Sequence, residues 1–102
     1  DAALKTNVVA IDNALSKVEA IRGVSYDWNA DGVALGLGTD KQIGVIAQEL
    51  QQVLPNCVKE ESTGVLSVDS DNLIWYLTNA VKQQQALIDN LTARLTALEG
   101  NK

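Results

Sequence analysis

The strongest periodicity in the chain lies in its C-terminal third. With Ile74 as heptad position a, Ile74, Val81, Ile88 and Leu95 occupy a, and Leu77, Gln84, Leu91 and Leu98 occupy d. Seven of these eight positions are apolar, which predicts a helix carrying a coiled-coil seam. At ~1.5 Å per residue the seam runs roughly 36 Å, too far for a small globular part to cover along its whole length. Seven seam residues at ~1.5 kcal/mol each would contribute about 10 kcal/mol per chain before ordering costs. The alternative is an amphipathic helix lying on its own domain. β-Branched residues at a with Leu at d formally favour two strands, and Gln84 could set the register by pairing with its symmetry mates. Periodicity alone leaves the number of strands open.

Ahead of that helix the patterning is shorter in range. Ile11, Leu15 and Val18 fall at helical spacing between Ile11 and Arg22, with Asp12 as a cap and Gly23 as a stop. Val24 to Trp28 alternates and is rich in β-formers. The stretch Asn29 to Asp40, with Gly32, Gly36 and Gly38, reads as a loop or long hairpin before a second strand at Gln42 to Ile46, and these two strands should pair. Ala47 to Leu54 has helical character ended by Pro55. Val58 to Glu60 and Val65 to Val68 form a second hairpin around Ser62-Thr63-Gly64. The expected fold is α+β: a small antiparallel sheet with flanking helices and a long C-terminal coiled-coil helix, divided into a globular part at 1–70 and the helix at 71–102.

Composition narrows the function. A chain of 102 residues, with its tail in a coiled coil, leaves a globular part of about 70 residues, marginal for one isolated core. It has no Phe or Met, two Trp and two Tyr, so packing must come from Val, Ile, Leu and Ala, and packing shared between subunits is expected. Thirteen acidic against eight basic residues give a net charge of -5. With no basic cluster to release counterions, nucleic acid is an unfavourable partner, and so is an anionic membrane. No apolar run approaches the roughly 20 residues that span a bilayer. The absence of His removes Ser-His-Asp and Cys-His catalysis and His-ligated zinc. Cys57 is alone, so no intrachain disulfide or paired-cysteine metal site exists, and its setting in Leu54-Pro55-Asn56-Cys57-Val58 suggests a small buried residue entering a strand. Asp69-Ser70-Asp71 lacks the central Gly and terminal Glu of a calcium loop and reads as a helix cap. Gly36-Leu37-Gly38 lacks the Gly-Lys-Ser/Thr of a phosphate loop and reads as a turn. No cofactor is implied.

An ordered set of motifs carries a resemblance over nearly the whole chain. Asp1 with Leu4-Lys5, Ile21 to Trp28, Ile43 to Leu50 with its Gly44-Val45-Ile46-Ala47-Gln48-Glu49-Leu50 block, Val53-Leu54-Pro55, Val58, Val68-Asp69, Leu73 to Leu77, Ala80-Val81-Lys82 and the Leu95, Leu98, Glu99 end follow one another. Together they resemble the C-terminal intramolecular chaperone of phage tailspikes and tail fibres, the endosialidase chaperone or peptidase S74 family. The resemblance implies a homotrimer joined to an upstream tailspike or fibre domain, which it folds before cutting itself off. It implies action in the host cytoplasm during virion assembly and absence from the mature particle.

In that family a serine immediately precedes the Asp of the first motif and a lysine follows five positions after the serine, which falls on Lys5. Lys5 is then the implied general base, Asp1 flanks the scissile bond, and the nucleophile lies just upstream. The domain would be a single-turnover serine-lysine peptidase, inactive as this fragment alone. A desolvated, uncharged lysine amine can take the hydroxyl proton where no imidazole is available. A serine attacking its own carbonyl would need a strained four-membered ring, so another geometry, a neighbouring chain and the Asp1 carboxylate remain as routes of attack. On residues alone Lys5 would be a solvated surface lysine, and Gln48 and Glu49 would be helix-surface or capping groups. Their place in the signature implies interface or site-support roles. Two alternatives stand beside this reading: a non-catalytic trimerisation cap of a fibre or adhesin, and, within the family, the self-cleaving segment of myelin-regulatory-factor-type membrane-bound transcription factors.

Overall fold

The computed structural model describes residues 1–62 and 64–100. After a 3-10 turn at Ala2–Leu4, the described elements follow as α1 (Ala14–Glu19), β1 (Val24–Tyr26), α2 (Ala30–Ala34), β2 (Gln42–Gly44), α3 (Ala47–Val53), β3 (Val58–Glu60), β4 (Leu66–Val68) and α4 (Ser70–Gly100), with a second 3-10 turn at Pro55–Cys57 before β3. The α+β class holds, but the strands form two separate two-stranded antiparallel sheets rather than one. Between them in sequence, α3 and the Pro55–Cys57 turn supply Leu50, Leu54 and Cys57, the fully buried cluster on which Val45, Val58 and Val68 pack.

Local chemistry explains where the elements begin and end. Asn13 sits in the left-handed region at φ 54°, so the helix starts after it, at Ala14 rather than Ile11, and Asp12 does not cap it. Ile21 N–H donates to the Val18 carbonyl at 3.0 Å, a tightened last turn that ends α1 before Gly23. The first hairpin pairs Val24 with Gly44 and Tyr26 with Gln42. The Tyr26 ring lies over Gly44, where an added Cβ would stand 3.4 Å from Cε1. The glycine-rich connection is not a plain loop. Asn29 Oδ1 accepts from Gly32 N–H at 3.0 Å and starts α2, and Gly32 presses so closely on Trp28 that a Cβ would meet the Trp28 Cβ at 3.1 Å. Trp28 in turn meets Tyr26 edge to face at 5.0 Å. The second hairpin pairs Val58 with Val68 and Glu60 with Leu66. Of its expected turn, Gly64 adopts φ 82° and Thr63 lies outside the described residues.

Asp69 caps α4, its Oδ1 accepting from the N–H groups of Asp71 and Asn72 at 3.1 and 3.3 Å, as the sequence suggested. The 31 residues of α4 make a rod of about 46 Å. Its first half is fastened to the body by the face bearing Leu73, Tyr76, Ala80 and Gln83. Gln83 Oε1 accepts from Leu15 N–H at 2.9 Å, Asn56 Nδ2 donates to the Tyr76 hydroxyl at 2.8 Å, and Lys17 Nζ stands 5.6 Å from the Tyr76 ring centre. Ala86, Leu87 and Asn90 still line a shallow groove against α1, and beyond Asn90 every described residue of the helix is exposed. The molecule measures 66 × 40 × 21 Å with a radius of gyration of 19.5 Å, against about 13 Å for a compact chain of this length.

Candidate functional site

Three sets of residues have functional promise, and the single chain keeps them apart. The first is the N-terminal arm. Asp1 Oδ1 accepts from Ala3 N–H at 2.9 Å and caps its own turn. Lys5 follows in extended conformation, φ -116° and ψ 147°, within a stretch of ten exposed residues. Among the described residues no hydrogen bond or ion pair engages the Lys5 side chain, and none joins it to Gln48 or Glu49. The apolar residues beside it are equally bare, with Leu4 87% and Val9 86% exposed.

The second set is the start of α3. Glu49 receives both arms of the Arg22 guanidinium, Nε to Oε1 at 3.0 Å and Nη2 to Oε2 at 2.6 Å. This two-pronged geometry favours the charged carboxylate. The Arg22 hydrogen bond holds the Glu49 carboxyl below its usual range, and the same bond raises Arg22. Glu49 therefore ties the α3 start to the segment ahead of β1. Arg22 went unrecognised in the sequence as a partner because it lies 27 residues away, with only its place in the Ile21 to Trp28 motif to mark it. Gln48, one residue earlier, lines a groove of about 840 Å³ between the two hairpins. Trp28, Val45, Val65 and Leu66 wall that groove, which lies near the upper end of the range for binding clefts.

The third set is the seam. Ile74, Leu77, Val81, Gln84, Ile88, Leu91, Leu95 and Leu98 are all exposed. The helix does lie on its own domain, but through the Leu73, Tyr76, Ala80 and Gln83 face, so the heptad stripe is a second apolar face without a partner in the chain. Cys57 is fully buried, and burial, reinforced by the Asp69 charge, pushes its thiol upward, which keeps it protonated and unreactive. Among the described residues no group of three His, Cys, Asp or Glu side chains could hold a metal, and no helix is long and apolar enough to cross a membrane.

Comparison with known proteins bears on all three sets. Residues 1–59 match the profile of the peptidase S74 family, described as the chaperone of endosialidase. The chain is 40% identical over 99 residues to the long tail fiber protein Gp37 of Enterobacteria phage K3, covering 93% of this chain and 8% of that protein. Identity and coverage of this chain are the same for the long tail fiber protein Gp37 of Enterobacteria phage T2, of which 7% is covered. The chain thus spans less than a tenth of the length of these relatives. The profile takes in the arm with Lys5, the Arg22–Glu49 pair and Gln48, and extends over more than half of the sequence: the chain belongs to the chaperone of endosialidase family, peptidase S74.

Proposed function

We propose that this chain is an intramolecular chaperone that trimerises, holds the strands of an attached phage fibre or tailspike together while they fold, and is released by self-cleavage just before Asp1. One observation carries the assembly half: α4 is already anchored to its own body by one face and still presents a continuous apolar stripe along another. Such a stripe marks an interface rather than a leftover. Long fibre proteins as relatives fit the same role. Three tethered chaperones raise the effective concentration of the three fibre strands and keep them in register while slow, long-range pairing proceeds. Cleavage then removes the template and leaves the fibre kinetically trapped.

In the cleavage half, Lys5 is the general base for a serine immediately upstream of Asp1. That role rests on family membership and on the position of Lys5 four residues after Asp1. The reaction takes place in the host cytoplasm during assembly, and the released domain is absent from the mature particle. A second reading, a permanent non-catalytic trimerisation cap, is favoured by one feature: in the single chain Lys5 is exposed, and a lysine serves as a base only where it is desolvated.

Joining the chain to its native upstream stem and weighing the products, wild type beside Lys5→Ala, separates the two. A wild-type cut that yields a fragment beginning at Asp1 and vanishes in the variant supports self-cleavage. A stable uncut oligomer in both leaves the cap. An uncut monomer in both removes both readings.

A further inference from the structure

The arm and the groove are complementary, and each lacks a partner in the chain. Residues 2–11 form a run whose Leu4, Val8 and Val9 are at least 80% exposed and whose only charge is Lys5. From Lys5 to Asp12 this run forms no helix or strand. The groove offers an apolar wall of Trp28, Val45, Val65 and Leu66 and carries Asp27 and Glu61 among its lining residues. Asp27 uses Oδ2 for Lys41, and Glu61 uses Oε1 for Ser67. Among the described residues their other oxygens remain open acceptors. Tyr26 of β1 and Leu66 to Val68 of β4 line the groove. Each of these strands belongs to a two-stranded sheet and so keeps one edge unpaired in the chain. An extended segment laid against such an edge gains backbone hydrogen bonds, with its alternate side chains filling the pockets.

We infer that the groove between the hairpins is the dock for the N-terminal arm of a second copy of this chain, with Leu4, Val8 and Val9 on the apolar wall and Lys5 directed to the Asp27 and Glu61 carboxylates. The charge match favours this segment over the connection that carries Leu35 and Leu37, because Leu37 already lines the groove and the cation there, Lys41, is already paired with Asp27. The arm's own body is the less suitable host. The arm is rooted where the Ile11 carbonyl accepts from Asn79 of α4 and Leu15 of α1 donates to Gln83, and neither α1 nor α4 contributes to the groove. The seam brings other copies alongside that root. This deepens the proposed function and rests on its assembly half. Docking would take Lys5 out of bulk water and pair its ammonium with the groove carboxylates next to Gln48; because opposite charge favours the protonated amine, this contact positions the arm on a neighbour and does not itself make Lys5 a base.

The test is a disulfide trap between two distinguishable copies of the 102-residue chain, co-expressed with one bearing a size tag. One copy carries Leu4→Cys or Val9→Cys, the two positions covering both ends of the arm, and the other carries Val65→Cys on the groove wall. Native Cys57 is buried and stays out of the exchange. After mild oxidation up to about half of the chains are expected in a hetero-linked band, the limit for random mixing in a cyclic trimer, and the band is absent when the second copy instead carries Ser16→Cys on α1. Sedimentation of the same sample reads the assembly state independently. An oligomer without the hetero-link overturns the docking and leaves the assembly intact. A monomer overturns both. An intrachain link in a Val9→Cys/Val65→Cys double variant with no hetero-link shows the arm folding onto its own body and likewise overturns the inference.

Discussion

Shortening two seam leucines tests the central claim about α4. In the single chain Leu91 is 60% and Leu95 57% exposed, so roughly six-tenths of each side chain remains to be buried by a partner. Leu→Ala removes about three methyl-sized groups, worth ~2.4 kcal/mol at full burial. Scaled to the exposed fraction this is about 1.4 kcal/mol per site, about 3 kcal/mol per chain for Leu91→Ala/Leu95→Ala, and roughly 8 kcal/mol for three chains. For the proposed trimer the association constant should fall by about 10⁶, moving the midpoint concentration up about 10³-fold. Ala keeps the helix formed, and neither residue packs on the chain's own core, so far-UV circular dichroism of the body should change little. Sedimentation velocity over a concentration series reads the shift, with Lys82→Ala on the polar side of the same helix as control. An unchanged oligomer distribution in the double variant would refute the reasoning, as would a control that dissociates equally.

Three further outcomes follow from the body. Leu50→Ala, at a site only 2% exposed in the central cluster, should cost about 2–4 kcal/mol; against a core this small, urea unfolding should show a midpoint near zero denaturant. Glu49→Gln should flatten part of the acid dependence of stability. Because the Arg22 hydrogen bond depresses the Glu49 carboxyl, its contribution is present above the ordinary carboxylate range and lost as pH falls through the lowered folded value, so wild type should lose more stability than the variant between about pH 5 and pH 3. The pair is solvent-exposed and the difference should be small, read as a gap between urea midpoints that closes at low pH; a gap independent of pH would contradict the assignment. Cys57, fully buried and pushed upward by burial and Asp69, should resist alkylation in the native state and react at once in denaturant, and rapid native labelling would overturn its place in the core.

What the sequence made legible tracks how local the determining interaction is. The long helix could be read because its repeat persists over four heptads and Asp69 announces its start. The second hairpin could be read because its strands and turn lie within a few positions of one another, and the first because each strand carries its own alternation, although residues 27–41 between them hold α2. The helix α2 was hidden by its own glycine. Gly32 argues against a helix by propensity, yet contact with Trp28 requires its missing side chain, and the Asn29 cap offsets part of the propensity loss. The division into two sheets was equally hidden, since whether one hairpin pairs with another leaves no mark in the alternation of either. The face by which α4 grips its body, Leu73, Tyr76, Ala80 and Gln83, repeats at the same spacing as the seam, but small Ala80 and polar Gln83 weaken its apolar signal, and so the heptad stripe alone drew notice. For the candidate site, Lys5 and the Gln48-Glu49 block were visible as motif positions. The Arg22 partner of Glu49 was not, because no pattern in the sequence links residues that far apart.

The wet environment of Lys5 gives the proposed mechanism an internal order. A base formed within one chain would act as soon as that chain was made, before three fibre strands were joined, and would release the chaperone from an unfolded client. A base that becomes competent only when a neighbouring copy desolvates it cannot act before assembly. The physical cost of leaving Leu4, Val8 and Val9 exposed in the single chain is small, since no ordered contact is given up there. In the proposed mechanism the gain on docking is available only in the oligomer, which would make cleavage follow the same contacts that hold the fibre strands together. The sparse core fits the same proposal: with few fully buried side chains and the last turns of α4 exposed, the body has apolar surface that partners would bury. In the proposed mechanism assembly and ordering of the arm are then one coupled step, and cutting would follow only after the chains meet.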